Sequence, residues 1–331
     1  MKKTVKKTMK KIAVFTSGGD SPGMNANVRA VVRACLHYGI GVVGIRNGYE
    51  GMIAGDMFNM KTTDVSNILQ LGGTVLGTAR SKRFMTPEGR ALAYANLKKF
   101  DIEGIVACGG NGTYTGAMIF MSEYPDIRIV GTPGTIDNDL YGTDYTIGYD
   151  TAVNTAMNAI DNVKDTANSH GRVFFIEVMG RDAGFIALRS AISTGAEAVL
   201  VPEVSSDLPA LVKRLNDNYN KKKRASIVVI AEGDDAGGAF QVLEKIKSQL
   251  LATDIRITVL GHIQRGGRPT VLDRVLASRL GLEAVRALMD GKAGVAIGQI
   301  GHNIEYTPFE TAIKHHNRIN PTLLEMVEIL S

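Results

Sequence analysis

The chain has 331 residues, which is enough for about two domains of ordinary size with a substantial buried core. Apolar residues make up 44% of the chain and charged residues 21%, and this composition excludes general disorder. Because no run of ~18 apolar residues occurs, the sequence predicts no membrane-spanning helix.

The formal net charge of +5 is unevenly distributed. Residues 1–11 contain six lysines and no acidic residue, and without those lysines the 38 basic and 33 acidic residues reduce to a net charge of −1. A nearly neutral body, with 6% aromatic residues and no Trp, disfavours nucleic-acid binding. The lysine-rich segment lacks the apolar stretch of a secretion signal, so we expect a solvated terminus.

The two cysteines, Cys35 and Cys108, are too few for a disulfide or zinc framework. No CxxC or HxxxH spacing occurs, which disfavours a zinc site. This cysteine content is typical of a reducing compartment, and we expect a cytoplasmic protein.

Short apolar runs alternate with helical patterns along almost the whole chain. The runs lack a period of two, which is typical of parallel strands buried on both faces. We expect strands at 12–16, 41–46, 104–108, 127–131, 173–178, 198–201, 226–231, 255–260 and 294–298. We expect helices at 25–37, 88–99, 115–122, 150–166, 207–218, 239–250 and 271–290. The alternation predicts a two-lobed, doubly wound α/β fold with mostly parallel sheets, in which ligands bind at the carboxyl ends of strands.

Two glycine-rich turns follow predicted strands. The turn SGGDSPGMN at 17–25 opens a helix, where glycines allow a ligand to approach the backbone and free N–H groups attract anions. Tight packing alone explains such a turn equally well. The second turn, GGNGT at 109–113, strengthens the prediction of a polyphosphate site. Neither turn fits the P-loop or dinucleotide pattern, so both of those classes are disfavoured.

A third turn, PGTIDND at 133–139, carries two carboxylates at a strand end. Asp137 and Asp139 suit one general base and one group that binds metal or positions the substrate. The alternative is an Asx-rich turn that caps the next segment. The two neighbouring phosphate turns favour the chemical interpretation.

Basic side chains follow further strands, at EVMGRDAG (177–184) and GHIQRGGR (261–268). An isolated Arg or His is usually a surface group. Here several strand ends offer such groups together, and guanidinium groups bind phosphate in a bidentate manner, so the sequence predicts an anion pocket.

The motifs SGGDSPGMN, GGNGT, PGTIDND, EVMGRDAG and LGHIQRGG, in this order and spacing, resemble those of bacterial 6-phosphofructokinases, from about residue 11 to about residue 290. The resemblance implies transfer of the γ-phosphate of Mg-ATP to the C1 hydroxyl of D-fructose 6-phosphate, which gives fructose 1,6-bisphosphate and ADP. We expect a nucleotide lobe from residues 1–148 and 264–314 and a sugar-phosphate lobe from residues 149–263 and 315–331.

The resemblance also implies residue roles. Asp137 matches the base that takes the proton of the sugar hydroxyl, and Arg80 and Arg181 match groups that stabilise the transferring phosphate. Thr135 and Asp139 would position the nucleophile and the Mg²⁺-bound phosphates. The implied ATP-binding residues are Gly19, Arg80, Ser81, Gly110, Asn111, Gly112 and Thr113. The implied sugar-phosphate residues are Thr135, Ile136, Asp137, Arg172, Met179, Gly180, Arg181, Glu232, Arg256, His262, Ile263, Gln264 and Arg265. Asn111 and Asp139 are the implied Mg²⁺ ligands. In the family, the counterparts of Arg172 and Arg256 come from a neighbouring subunit, which implies a homo-oligomer, typically a tetramer.

The phosphoryl donor is predicted from two glycines. Pyrophosphate-dependent members resemble GGDD and PKTIDND at these turns, whereas this chain has Gly112 and Gly134, which leave room for a nucleotide. A member that uses pyrophosphate or another sugar phosphate remains an alternative. A catalytically quiet regulatory paralogue is the other alternative, and the presence of Asp137 and Arg80 disfavours it.

Three departures from the family pattern lead to predictions. The family's effector pocket for ADP or phosphoenolpyruvate is matched by Arg29, Arg33, Lys164, Gly195, Glu197, Lys221, Lys223 and Arg224, although the charge run 221–224 is also explained as a solvated helix end. Thr62 stands where the family usually has an arginine, and Lys164 replaces another, so we expect a weak effector response. Asn111 stands where the family usually has Asp, so we expect a higher Mg²⁺ requirement.

Overall fold

The structure is a computed structural model that describes residues 9–222, 225–314 and 317–331. The predicted solvated terminus at 1–8, and Lys223 and Arg224 of the implied effector pocket, lie outside the described residues. Two compact units make up the chain. The first contains Met1–Ile136, Leu140–Asp150 and Arg265–Asn317, and the second contains Asp137–Asp139, Thr151–Gln264 and Arg318–Ser331. The predicted lobe boundaries stay a prediction.

The strands and helices alternate in the predicted manner. In the described residues the strands are β1 (Lys11–Thr16), β2 (Gly41–Ile45), β3 (Met57–Asn59), β4 (Gly104–Gly109), β5 (Arg128–Pro133), β6 (Val173–Val178), β7 (Ala198–Leu200), β8 (Ser226–Ala231), β9 (Ile255–Val259), β10 (Val295–Ile300) and β11 (Asn303–Pro308). The helices are α1 (Met24–His37), α2 (Gly48–Ala54), α3 (Pro87–Lys99), α4 (Asn111–Glu123), α5 (Tyr149–His170), α6 (Phe185–Thr194), α7 (Leu208–Asn220), α8 (Ala239–Ile246), α9 (Val271–Met289), α10 (Phe309–Lys314) and α11 (Pro321–Leu330).

The first unit is built on a seven-stranded sheet with the order β11-β10-β5-β4-β1-β2-β3. Its inner strands pair in parallel, whereas β3 and β11 pair antiparallel at the two edges. On β1, Ile12 and Val14 pack on one side and Ala13 and Phe15 on the other, each side in its own apolar cluster. Burial on both faces explains why the inner strands have no period of two.

The second unit is built on a four-stranded parallel sheet with the order β7-β8-β6-β9. Its core contains Phe175, Val228 and Ile230 from the strands and Leu211 and Val242 from the helices. The predicted fold class, α/β with mostly parallel sheets, is confirmed.

Several elements differ from the sequence-based expectation. The antiparallel edge strands β3 and β11 were not expected, because β3 has three residues and β11 is mostly exposed, so neither is a continuous apolar run. Helices α2, α6, α10 and α11 were also not expected. Helix α4 begins at Asn111 rather than at residue 115, so most of the GGNGT turn is the first turn of a helix.

Side-chain caps precede α3 and α9. Thr86 precedes α3, and its hydroxyl accepts a hydrogen bond from the N–H of Gly89 at 3.1 Å, with Pro87 at the first helical position. Thr270 caps α9 in the same way with the N–H of Asp273. Among the described residues, no helix is long and apolar enough to cross a membrane.

Candidate active site

Two of the predicted turns and the start of the third, up to Ile136, lie together in the first unit because β5, β4 and β1 are neighbours in its sheet. Asp137–Asp139, at the end of the third turn, belong to the second unit. The carboxyl ends of parallel neighbours meet at one edge, which is where such folds bind ligands. Direct hydrogen bonds join the turns. The N–H of Ser17 donates to the carbonyl oxygen of Cys108 at 2.9 Å, and the N–H of Gly134 donates to that of Gly109 at 3.1 Å.

The GGNGT turn has the geometry of an anion site. Gly110 is extended and immediately precedes α4, so this turn lies at the N-terminus of a helix, where negative charge is favoured. Gly109 must be glycine, because an added Cβ would lie 2.3 Å from Oγ1 of Thr113 and 2.7 Å from the carbonyl oxygen of Ser17. The GGNGT turn therefore packs closely against the end of β1 at Gly109.

Arg80 lies in a loop that is tied to the end of β1. The hydroxyl of Thr78 donates to the carbonyl oxygen of Gly18 at 2.6 Å, and the hydroxyl of Thr16 donates to that of Gly77 at 2.8 Å. Within the described chain, the exposed side chain of Arg80 makes no hydrogen bond or ion pair. Its charge therefore lies in a loop that is bonded to the SGGDSPGMN turn.

The two glycines that predict the donor differ in their surroundings. Gly112 is exposed, and no atom lies within 4 Å of a Cβ added there. At Gly134 an added Cβ would lie 2.7 Å from Sγ of Cys108 and 3.0 Å from Cε of Met24. A side chain at position 112 thus extends into open space, whereas one at position 134 collides with the interior.

Arg265 lies beside the first turn. Its Nη1 lies 3.4 Å from the carbonyl oxygen of Asp20, and a Cβ added to Gly19 would lie 2.6 Å from the same nitrogen. The resemblance groups Arg265 with the sugar-phosphate residues, and the structure adds a contact with the first glycine turn. A side chain at position 19 would therefore have to displace the guanidinium group of Arg265.

The PGTIDND turn is buried from Thr135 to Asn138. The hydroxyl of Thr146 donates to the carbonyl oxygen of Thr135 at 2.6 Å, which fixes the backbone just before the carboxylates. Asp137 is 4% exposed, Asp139 is half-buried, and Asn138 between them has a φ of 55°, in the left-handed region. Asn tolerates that conformation better than most residues, which explains its place between two acids.

In the second unit, the turn after β6 carries Met179, Gly180 and Arg181. Gly180 has a φ of 145° and Arg181 a φ of 53°, which is unusual for a residue with a side chain. Oε1 of Glu232 accepts the N–H of Arg181 at 2.8 Å and that of Gly180 at 3.3 Å, and Oε1 of Gln264 accepts the N–H of Met179 at 3.2 Å. These side chains hold a strained turn in place, which is a common property of functional sites.

Two predicted phosphate-binding arginines converge on an acid that sequence reasoning missed. Nε of Arg172 donates to Oδ2 of Asp254 at 2.6 Å, and Nη2 of Arg256 lies 3.0 Å from Oδ1 of the same carboxylate. The hydrogen bond from Arg172, with the charges of both arginines, holds the pKa of Asp254 below its usual range. The sequence does contain a signal for this contact, because an acidic residue stands two positions before Arg256. His262 and Ile263 lie exposed in the short turn that follows β9.

The described effector candidates lie in both units. Lys164 donates to the carbonyl oxygen of Thr194 at 2.5 Å, at the end of α6, and Gly195 follows with a φ of 59°. Glu197 is buried, and its Oε2 accepts a hydrogen bond from Asn218 at 2.8 Å. In the first unit, α1 carries the half-buried Arg29 and the exposed Arg33, and in the second unit Lys221 is exposed at the end of α7.

Comparison with known proteins agrees with the motifs. Residues 11–288 match the model of a family described as Phosphofructokinase. The ATP-dependent 6-phosphofructokinase of Cytophaga hutchinsonii is 54% identical over 98% of this chain and 98% of its own. The ATP-dependent 6-phosphofructokinase 1 of Thermus thermophilus is 54% identical over 98% of this chain and 100% of its own.

Solved structures show the same fold. Phosphofructokinase from Saccharomyces cerevisiae superposes with a TM-score of 0.87 at 38% identity over 92% of this chain, which spans only 45% of the yeast chain. A pyrophosphate-dependent phosphofructokinase from Nitrosospira multiformis superposes with a TM-score of 0.83 over 97% of this chain and 91% of its own. At 22% identity the second likeness concerns the fold alone.

Proposed function

The chain belongs to the phosphofructokinase family and is an enzyme of the ATP-dependent 6-phosphofructokinase class, and from that premise we propose how its residues carry out the reaction. The γ-phosphate of Mg-ATP passes to the C1 hydroxyl of D-fructose 6-phosphate, with Asp137 as the base. The products are fructose 1,6-bisphosphate and ADP. The activity belongs to glycolysis.

Asp137 is proposed as the base because of its place and its burial. It follows β5 by four residues, at a strand end, and it is 4% exposed. A carboxylate held out of bulk water accepts a proton from a bound hydroxyl more readily than a solvated one, because water does not compete for its oxygens. Thr135, whose backbone is fixed by Thr146, positions the hydroxyl that attacks.

Charge on the transferring phosphate is stabilised by positioned cations and backbone N–H groups. Arg80 supplies a cation whose charge no described acid neutralises. Arg181 supplies the second, from a turn that Glu232 orients through two backbone hydrogen bonds. The N–H groups at the start of α4, after Gly110, bind the nucleotide phosphates.

Mg²⁺ is proposed to enter with ATP, where it neutralises phosphate charge. Asn111 and Asp139 offer amide and carboxylate oxygens, which are the donors that Mg²⁺ prefers. The described residues contain no group of three or more His, Cys, Asp or Glu that could hold a metal ion. Asn111 and Asp139 would hold the ion together with the phosphates of ATP, and the ion would supply charge neutralisation there.

The sugar phosphate is proposed to bind to Arg172, Arg256, His262 and Arg265. Arg172 and Arg256 share Asp254, which keeps both guanidinium groups at one place on the β6–β9 edge of the second sheet. We propose that these two arginines serve the site of a neighbouring subunit and that the enzyme is a homotetramer. We further propose weak control by ADP or phosphoenolpyruvate, and a cytoplasmic location.

The single observation that carries the proposal is the set of hydrogen-bonded turns at the ends of β1, β4 and β5, with Asp137 buried in the third turn. It is tested by a coupled assay with fructose 6-phosphate in which ATP and pyrophosphate are compared as donors. We expect turnover with ATP and little with pyrophosphate.

The same assay tests the base. Asp137→Ser should lower kcat by about 100-fold or more, because the hydroxyl loses its proton acceptor, and should leave the affinity for fructose 6-phosphate nearly unchanged. Asp126→Asn, which removes a solvated carboxylate that pairs with Lys98, is the control and should keep full activity. An unchanged kcat in Asp137→Ser would show that this residue is not the base. Faster turnover with pyrophosphate than with ATP would show that ATP is not the preferred donor.

A further inference from the structure

A short helix between β2 and β3 holds the segment that follows Arg80. Glu50, in the first turn of α2, uses both oxygens of its carboxylate on this segment. Its Oε2 accepts the hydroxyl of Ser81 at 2.5 Å, and its Oε1 accepts Nη1 of Arg83 at 2.7 Å. The side chain of Glu50 is 32% exposed, so these bonds lie partly out of water.

The Ser81 hydroxyl also forms a hydrogen bond with the backbone of this segment. It donates to Glu50 and accepts the N–H of Phe84 at 3.1 Å, so that one hydroxyl closes the turn from residue 81 to residue 84. The hydrogen bond from Ser81 and then the guanidinium of Arg83 hold the pKa of Glu50 below its usual range. Glu50 is therefore charged at neutral pH and remains a strong acceptor for both donors.

The neighbour of Glu50 joins the same segment to the GGNGT turn. The Tyr49 ring stacks on Phe84 with ring centroids 3.9 Å apart, and the Tyr49 hydroxyl donates to the carbonyl oxygen of Thr113 at 2.6 Å. Two consecutive residues of α2 thus hold the segment after Arg80 and the first turn of α4. This arrangement sets the distance between the Arg80 loop and the N–H groups that are proposed to bind phosphate.

Glu50 also neutralises one of the two arginines in this segment. Arg83 is neutralised by the carboxylate, whereas Arg80 pairs with no acid of the described chain. Arg80 lies between two anchors, the bond from Thr78 to Gly18 and the bond from Ser81 to Glu50. Of the two arginines, only Arg80 keeps an uncompensated charge for a ligand.

We propose that Glu50 is a positioning residue for phosphoryl transfer, which fixes Ser81 and Arg83 so that Arg80 reaches the transferring phosphate. The inference rests on the proposed function, because it takes the role of Arg80 from there. Displacement of a catalytic group by about 1 Å is enough to cost a large factor in rate.

A double-mutant cycle between Glu50→Leu and Arg80→Ala tests this inference. Glu50→Leu should lower kcat about tenfold, with the KM for fructose 6-phosphate changed less than twofold. In the Arg80→Ala background the same change should cost less than twofold, because Glu50 acts through Arg80. Asp56→Asn is the matched control, since it removes the exposed ion pair with Arg46 just after α2 and leaves the segment untouched.

The outcomes separate the inference from the proposed function. If Arg80→Ala keeps full activity, the proposed role of Arg80 fails and the inference fails with it. If Arg80→Ala is impaired but Glu50→Leu is not, or if the two losses multiply, Glu50 does not act through Arg80 and only the inference is overturned. Glu50→Gln, which keeps the size of the side chain but loses its charge, replaces Glu50→Leu if that variant does not fold, and a kcat loss of about threefold that disappears with Arg80→Ala is then expected.

Discussion

Position 111 shows how a single atom changes the expected behaviour of the site. Asn111 has the shape of the aspartate that the family resemblance leads one to expect, with an amide in place of one carboxylate oxygen. It is the first residue of α4, where the N–H groups already favour negative charge. We therefore expect the loss of one negative charge to weaken the binding of Mg²⁺ rather than the binding of ATP.

We expect the wild-type enzyme to need more free Mg²⁺ than the Asn111→Asp variant. A carboxylate is a stronger ligand for Mg²⁺ than an amide, so the Mg²⁺ concentration that gives half-maximal activity should fall by about threefold or more in the variant. The measurement is a Mg²⁺ titration at saturating ATP. An unchanged or higher Mg²⁺ requirement would show that position 111 does not tune the metal.

Gly112 and Gly134 are expected to respond differently to substitution. Gly112→Asp places a carboxylate in open space, so its Tm should stay within about 2 °C of the wild type while the KM for ATP rises about tenfold or more through repulsion of the nucleotide phosphates. Gly134→Ala drives a methyl group against Cys108 and should cost about 1–3 kcal/mol of unfolding free energy. Thermal melts of both variants measure the change in stability, and ATP saturation curves of both variants measure the change in KM for ATP. A stable Gly134→Ala, or a Gly112→Asp with normal ATP affinity, would contradict the prediction.

At the scale of elements, the pairing of β6 with β9 decides which side chains meet. The parallel register aligns Val173 with Ile255 and therefore brings Arg172, just before β6, next to Asp254, just before β9. Arg256 follows on β9 and reaches the other oxygen of the carboxylate. The arginine pair is thus a product of strand register.

Asp254→Asn should raise the KM for fructose 6-phosphate about three- to tenfold and change kcat less than twofold, because both arginines lose the carboxylate that orients them. The matched control is Glu244→Gln, which breaks the exposed pair with Lys247 in the same unit. A normal KM in Asp254→Asn would remove Asp254 from this role.

The pH dependence of the same variant has a definite sign. The folded-state pKa of Asp254 lies below its unfolded value of about 3.9, so its contribution to stability is fully present above about pH 5 and is lost as the pH falls through the folded pKa. The difference in Tm between wild type and Asp254→Asn should therefore be constant from about pH 5 to 8 and shrink below about pH 4. A difference that grows on acidification would contradict this sign.

At the scale of the whole molecule, the implied effector residues come from both units. Arg29 and Arg33 belong to α1 of the first unit, whereas Lys164, Glu197 and Lys221 belong to the second. Lys164 is engaged with the end of α6, and Glu197 accepts a hydrogen bond from Asn218. Thr62, exposed in a short turn of the first unit, has a hydroxyl where the family usually has a guanidinium.

We expect weak activation by ADP in the wild type and a stronger response in Thr62→Arg. One bidentate phosphate contact is worth about 1.5–3 kcal/mol, so the ADP concentration for half-maximal effect should fall about tenfold or more in the variant. Initial rates at low fructose 6-phosphate over an ADP series measure the response. Strong activation of the wild type by submillimolar ADP would contradict the prediction, and so would an unaltered response in Thr62→Arg.

The fold class and the turns with candidate catalytic groups can be predicted from local patterns in the chain. Continuous apolar runs indicate buried parallel strands, and a glycine or aspartate just after such a run lies at the carboxyl end of its strand. Gly19, Gly110 and Asp137 were therefore placed at strand ends correctly, because each depends only on its neighbours in the chain. The same reasoning missed β3 and β11, whose short or exposed segments lack an apolar run.

Contacts between side chains that are distant in sequence could not be predicted in this way. Glu50 contacts Ser81 across 31 positions of sequence, and Arg172 contacts Asp254 across 82. Such pairs depend on strand order and register, which hydrophobic periodicity does not encode, because the same pattern of buried residues is compatible with several pairings. The close packing of Gly134 against Cys108 has the same origin, since the space at a glycine depends on the chain that folds against it.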